Sequence, residues 1–331
     1  IMALTRKFLE EESLYKGKAI KVDFKWLREL KDGTGSGYRA IDDAPKFMHL
    51  EGVKDDDLIF GERTLNDINI GLFTPIEQAK SCREHGVPLK RGVLLYGPYG
   101  TGKTMTAYVS ALKATRNDWT FVYLESVQDL KAGLEFAAKY APCVLFAEDI
   151  DRVINGERSL SMDDVLNTLD GVDTKGAEII TVFTTNHIEN INPAMLRMGR
   201  LDTLVEVLPP DAKAAERLVK LYSRGLLAKD ANLAKIGKAL AGQIPASIRE
   251  VTERAKIAAI SRIGGGSIEG KVQEADLLSA AKAMETHANL LKPREAEVSN
   301  NAEVFIKVPA NNPTGKLLLA SVDGEAKKRQ A

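Results

Sequence analysis

The chain has 331 residues, a length that at roughly 100–200 residues per domain predicts two or three domains. Apolar residues make up 44% and charged residues 28%, an ordinary composition for a soluble globular protein that buries its core without disulfides or metal. Forty-six basic and 46 acidic residues cancel, which excludes a polybasic nucleic-acid protein on bulk charge while leaving room for a local basic patch.

No apolar run approaches the ~20 residues that span a bilayer, and no secretory signal is visible. Two cysteines, Cys82 and Cys143, build no disulfide scaffold, and four scattered histidines offer no metal-ligand spacing. A cytoplasmic setting is the expectation.

Residues 1–57 read as a small, separate N-terminal region. Glu10-Glu11-Glu12 sits in a charged, helix-like start, and Ala19 to Phe24 alternates as a half-buried strand does. Asp32 to Gly37 (DGTGSG) is a turn, and Asp55-Asp56-Asp57 a solvated acidic turn. From Leu58 the pattern changes. Thr64 to Gln78 reads as a helix. Four short apolar strands follow, at Val93–Tyr96, Phe121–Leu124, Val144–Ala147 and Ile179–Phe183, with helical patterns between them. That alternation predicts an α/β domain over 58–208, a parallel sheet covered on both faces. After Pro209-Pro210 the chain turns helical. Ala212–Leu227, Leu233–Ala241, Ala246–Ile263 and Gln273–Leu291 predict a small all-α domain over 209–292. Residues 293–331 mix Asn, Pro and Gly with charges and form a tail, in which Val304–Val308 could pair as a strand.

The strongest chemical signal is Gly97-Pro98-Tyr99-Gly100-Thr101-Gly102-Lys103-Thr104, a full G-x-x-x-x-G-K-[ST] between a strand and a helix that continues with Met105. Its glycines let backbone N–H groups curl around phosphates, and the helix N-terminus adds positive potential. Lys103 can reach the β and γ phosphates, and Thr104 can ligate Mg²⁺. A second signal is Val144-Leu145-Phe146-Ala147-Glu148-Asp149-Ile150-Asp151, in which acids emerge at the C-terminal end of a buried strand. That end of an open parallel sheet is where ligands bind, and after a P-loop the acids suit a Mg²⁺ and water-activating pair. A third is Thr184-Thr185-Asn186, where a polar residue at a strand tip can hold the attacking water. A fourth is Asn192 to Asp202, which carries Arg197 and Arg200.

This ordered set resembles the AAA family of AAA+ ATPases over about residues 58–290. The specific part is Thr184 to Asp202 (TTNHIENINPAMLRMGRLD), which is similar to that family's second region of homology. The resemblance implies a P-loop AAA+ module followed by a helical lid, with ATP and Mg²⁺ as nucleotide and metal. It implies that Asn186 is a sensor of the γ-phosphate, and that Arg197 and Arg200 reach the nucleotide of the neighbouring subunit. It therefore implies a homo-oligomeric ring, most often a hexamer, acting on a macromolecule, protein being favoured. Asp170-Gly171 resembles the family's inter-subunit signalling segment, Ile59-Phe60-Gly61 the stretch that packs on adenine, and Ile244 to Glu250 the lid segment that brings Pro245-Ala246 near the nucleotide. Arg249 is expected either on phosphate or in a surface salt bridge.

The chain departs from the family pattern in two places. The second motif usually ends Asp-Glu-x-Asp; the register of Phe146 and Asp151 gives Glu148-Asp149 instead. Glu148 then takes the Mg²⁺-side position and Asp149 that of the base, about 1.5 Å short of where a glutamate would reach. Two exchanged acids suggest a compensated pair, and an active site is expected. The second departure is Leu124 to Pro142 (LESVQDLKAGLEFAAKYAP), which is short and has no aromatic-x-Gly pore loop; Phe136 and Tyr140, four apart, are read as core residues. Both departures resemble the AAA group that translocates the mitochondrial Rieske protein. Two other classes fit the motifs: a nucleic-acid loader or remodelling ATPase, and a nucleotide-gated assembly scaffold with little turnover.

Overall fold

Among the described residues seven strands make one sheet, and its central strands are built from strongly apolar segments. The computed structural model describes residues 12–31, 33, 44–151 and 178–291. The strands are β1 (Ala19–Val22), β2 (Lys46–Phe47), β3 (Arg91–Tyr96), β4 (Thr120–Leu124), β5 (Cys143–Ala147), β6 (Ile179–Thr185) and β7 (Thr203–Glu206). They run in the order β2-β1-β4-β5-β6-β3-β7, and every pair is parallel except β1 with β2. All residues of β5 and β6 are buried, as strands covered on both faces must be.

Alternate side chains serve two apolar layers. Val93, Leu95, Val144, Phe146, Ile180 and Val182 pack with Ala107, Ala111 and Ala114 of the helix Lys103–Arg116 on one face. Leu94, Leu145, Ala147 and Phe183 pack with Leu130, Leu134 and Ala137 of the helix Leu130–Lys139 on the other. The four expected strands are all present, as a mixed α/β fold with a mostly parallel sheet. β7 was not expected: only Val205 of its four residues is buried, so this short edge strand has too little apolar pattern to be read from sequence.

The N-terminal residues do not stand apart as the sequence reading had them. β1 lies beside β4, with Ala19 opposite Phe121 and Val22 opposite Leu124. The helix Lys25–Lys31 is tied to the helix Leu130–Lys139 through the buried Asp129, which accepts from Phe24 N at 3.2 Å and ion-pairs with Arg28. Phe136 stacks edge-on against Phe24, and Tyr140 against Tyr15, so these two aromatics are packing residues. In the acidic turn Asp55–Asp57, Asp55 and Asp56 are exposed and Asp57 is half-buried, with Asp55 bonded to Arg116 at 2.9 Å.

The expected helix Thr64–Gln78 is broken into Glu62–Ile68, a π-helical turn Asn69–Phe73 and Thr74–Glu77. The wider turn carries Gly71, where a Cβ would sit 2.5 Å from Thr203 Cγ2.

Past β7 the helices are Ala212–Ser223, Leu233–Leu240, Pro245–Ile263 and Glu274–Leu291. Asp211 caps the first by accepting from Ala214 N at 2.8 Å, and Asn232 caps the second at Lys235 N. The first stops short of Leu227 because Arg224 and Gly225 turn left-handed at φ 50° and 80°. Residues 1–282 form one compact unit and residues 283–331 a second, described only as far as Leu291. The proposed signalling pair Asp170-Gly171, the acidic start Glu10-Glu11, the loop Thr34–Gly37 and the strand Val304–Val308 lie outside the described residues.

Gly92 on β3 shows how tightly the arginine segment is laid on the sheet. A Cβ there would fall 1.7 Å from the Arg200 carbonyl oxygen. Gly92→Ala should therefore destabilise the fold by roughly 1–3 kcal/mol, as overpacking does, and lower the midpoint of thermal unfolding. A wild-type melting curve would show that this segment gives way freely.

Candidate functional site

The site is assembled at the C-terminal ends of β3, β5 and β6. β3 leads into the glycine-rich loop, where Gly97, Gly100 and Gly102 have φ of 151°, 74° and 108°. Only glycine adopts such angles without strain. Room matters as well: a Cβ at Gly97 would lie 2.3 Å from Val207 O, one at Gly100 3.0 Å from Ile244 Cδ1, and one at Gly102 3.1 Å from Phe60 Cε1. Lys103 opens the following helix and is buried. Its Nζ donates to Gly97 O at 2.7 Å and Pro98 O at 2.8 Å. Burial pulls its pKa below the ordinary lysine value, against the opposing pull of Asp149, Glu148 and Asp151. Thr101 is buried and donates to Pro98 O at 2.9 Å.

β5 ends at Ala147 and presents Glu148 and Asp149 beside this loop. Asp149 has φ 52°, a left-handed conformation that Asp tolerates better than most residues. It is held there from β6: its N–H donates to Thr184 Oγ1 at 3.1 Å, and Ile150 N to Thr184 O at 3.0 Å. Asn186 Nδ2 donates to Asp149 Oδ1 at 3.1 Å. One step further in, Thr185 Oγ1 donates to the buried Asp151 at 2.6 Å. From β4, Tyr123 Oη donates to Glu148 Oε2 at 2.9 Å. Burial and the nearby Glu148 push the Tyr123 phenol well above its ordinary pKa, so it stays a donor.

Together these residues enclose a cleft of 390 Å³ lined by Tyr99, Gly100, Gly102, Lys103, Thr104, Glu148, Asp149, Thr184 and Asn186. The donor set fits a nucleotide phosphate chain with Mg²⁺. The loop is a cradle that side chains would fill. Glu148 Oε1 is shielded from solvent and has no hydrogen-bonding partner among the described residues. A carboxylate and a threonine hydroxyl on one cleft are the hard oxygen ligands that Mg²⁺ takes.

Other expected residues lie off this cleft. Phe60 is buried behind Gly102, and Gly61 packs against Asp211. Ala246 is exposed on the first turn of the helix Pro245–Ile263, and Ile244 rather than Ala246 touches the loop, at Gly100. Met105 is partly exposed on the P-loop helix. Arg249 stands over the Tyr222 ring at 4.8 Å, a cation–π contact rather than a surface salt bridge. Arg197 is exposed and Arg200 donates to Ala194 O at 2.7 Å; neither lines the cleft of its own chain.

Tyr123, Thr185 and Ile244 escaped the sequence reading as site residues. Thr185 and Ile244 carried a signal, their places in Thr184-Thr185-Asn186 and in the segment Ile244 to Glu250. His187, next to Asn186, bonds Tyr99 Oη at 3.3 Å and Glu189 at 2.9 Å, joining the loop to the tip of β6.

Residues 93–208 match the family described as "ATPase family associated with various cellular activities (AAA)". The chain is similar to the proteasome-activating nucleotidase of Methanocaldococcus jannaschii, 28% identical over 263 residues, which are 72% of this chain and 58% of that protein. It is similar to the 26S proteasome regulatory subunit 8 homolog of Schizosaccharomyces pombe, 27% identical over 66% of this chain and 60% of the relative. It is also similar to the ATP-dependent zinc metalloprotease FtsH of Thermus thermophilus, 29% identical over 68% of this chain and 38% of the relative. The chain thus spans between about a third and two thirds of the length of these relatives. Among the described residues no helix is long and apolar enough to cross a membrane. The P-loop on β3, the acids on β5, the asparagine on β6 and the family match agree: residues 93–208 resemble an ATPase domain of the AAA family.

Proposed function

We propose that this chain hydrolyses ATP to ADP and phosphate within a ring of its own copies, and spends the cycle on remodelling a protein. The observation that carries the reading is the convergence of Lys103, Thr104, Glu148, Asp149 and Asn186 on one cleft. The loop N–H groups and Lys103 hold the phosphates. Asn186 and Asp149 position a water in line with the γ-phosphorus, and Asp149 takes its proton as the new P–O bond forms and the bond to the β-phosphate oxygen breaks. Thr104 and Glu148 would hold Mg²⁺, which supplies positive charge against the phosphate oxygens. In this reading residues 58–208 are the nucleotide-binding domain and 209–292 the lid. The relatives named for the proteasome support a protein substrate.

Arg197 and Arg200 are assigned to the next subunit's nucleotide, in keeping with their position off their own cleft. A guanidinium fork suits phosphate bidentately and stays charged. The assignment makes assembly nucleotide-dependent, since a ligand shared by two subunits favours the ring by mass action. Subunit mixing tests it. Arg200→Ala retains its own P-loop, and Lys103→Ala retains its arginines. Each alone should be inactive, and mixed rings should regain part of the turnover through interfaces with one intact site. Verified mixed rings with no regain would remove the arginines from trans action. Full turnover by a monomer would remove the ring.

The finer reading is kinship with the Rieske-protein translocase group. It is supported by the Glu148-Asp149 order and by the connection Glu125–Pro142, in which the aromatics Phe136 and Tyr140 are packed rather than offered to a pore.

A further inference from the structure

The exchanged acids leave one question of geometry. If Glu148 stands where an aspartate usually faces the metal, its extra methylene adds a rotatable bond, and the carboxylate can swing away. Something must hold it. The strand beside it supplies the group. Tyr123 on β4 is opposite Phe146 on β5, so Glu148, two residues beyond Phe146, is its diagonal neighbour on the same face of the sheet. That spacing is within the reach of an aromatic side chain. The Tyr123 ring lies flat over Phe146, with centroids 6.1 Å apart and planes 9° from parallel, and Lys21 Nζ sits 5.4 Å from its centroid. The ring is thereby fixed, and its hydroxyl donates to Glu148 Oε2 at 2.9 Å. The other oxygen, Oε1, is the one left without a partner among the described residues, and Glu148 lines the cleft with Thr104.

We infer that Tyr123 is a positioning residue, which pins one oxygen of Glu148 so that the other is presented to the metal of a bound nucleotide. This rests on the ATP reading above and extends it to a residue outside the P-loop and acidic motifs. An aspartate at 148 would be one methylene too short to make the same bond, so the tyrosine and the glutamate act as a pair.

The test is metal binding without turnover. Mn²⁺ bound with a non-hydrolysable ATP analogue is titrated by electron paramagnetic resonance, and analogue affinity is measured separately in EDTA. Tyr123→Phe keeps the ring and its stacking and removes only the hydroxyl. It should weaken Mn²⁺ about tenfold, the usual scale for losing a partner that orients a metal ligand, and leave metal-free nucleotide affinity unchanged. Glu148→Asp should weaken Mn²⁺ too, and adding Tyr123→Phe to it should cost nothing more, because the bond is already gone. Unchanged Mn²⁺ affinity in Tyr123→Phe would overturn the role. So would a loss of equal size in both backgrounds, which would mean that the hydroxyl acts other than through its bond to Glu148. The wild-type titration separates the two proposals. No metal-dependent nucleotide binding there overturns the ATP reading and this role with it; binding there with an unaltered Tyr123→Phe overturns this role alone.

Discussion

Lys103→Ala should reduce ATP affinity by two to three orders of magnitude. Lys103 is the charged side chain of the glycine loop, and its ammonium already donates to two loop carbonyls, Gly97 O at 2.7 Å and Pro98 O at 2.8 Å. A triphosphate offers oxygens carrying full charge in place of those neutral ones. Charge-assisted hydrogen bonds contribute roughly 1.5–3 kcal/mol each, and two of them amount to about 3–4 kcal/mol at the low end. At about 1.4 kcal/mol per factor of ten, that is a 100- to 1,000-fold loss. Burial works in the same direction, because an ammonium whose charged form is penalised by desolvation gains most from an anionic partner. Calorimetry with ATP and Mg²⁺ gives the answer, with apo thermal unfolding as the control for the fold. An affinity within threefold of wild type would show that Lys103 does not face the phosphates.

Asp149→Asn should keep nucleotide binding and lower kcat by about 10²–10⁴, the scale of losing a general base. The substitution is well suited to the position. Asn tolerates the left-handed backbone as Asp does, so the φ of 52° adds no new strain. The backbone bond from residue 149 to Thr184 Oγ1 does not involve the side chain and survives. What is lost is a carboxylate that can take a proton from water. The exchanged order gives the comparison its force. If Asp149 is the base and Glu148 the metal-side ligand, Glu148→Gln should raise the Mg²⁺ concentration needed for half-maximal rate, and Asp149→Asn should not. Normal turnover in Asp149→Asn alongside a dead Glu148→Gln would reverse the two assignments.

Much of this protein was legible in one dimension. The P-loop could be read because its chemistry lies in consecutive residues: phosphate contact needs glycines, a lysine and a threonine at fixed spacing. The four central strands could be read because burial on both faces leaves continuous apolar runs such as Cys143–Ala147 and Ile179–Phe183. The acids of β5 and the asparagine of β6 could be read because each directly follows such a run.

The tertiary structure decided the rest. β1 is a four-residue strand whose sequence says that it pairs but not with what; its place beside β4 turns an apparent appendage into part of the sheet. Edge strand β7 has one buried residue, and only its hydrogen-bonded neighbour β3 gives it identity. Tyr123 reaches Glu148, 25 residues on in sequence, because β4 and β5 pair in one register, and a slip of one residue would turn the phenol to the other face. Ile244 meets Gly100 because the helical segment beyond β7 folds back onto the loop. Local spacing determines which groups can do chemistry; strand order and register, set by contacts between distant segments, determine which of those groups meet.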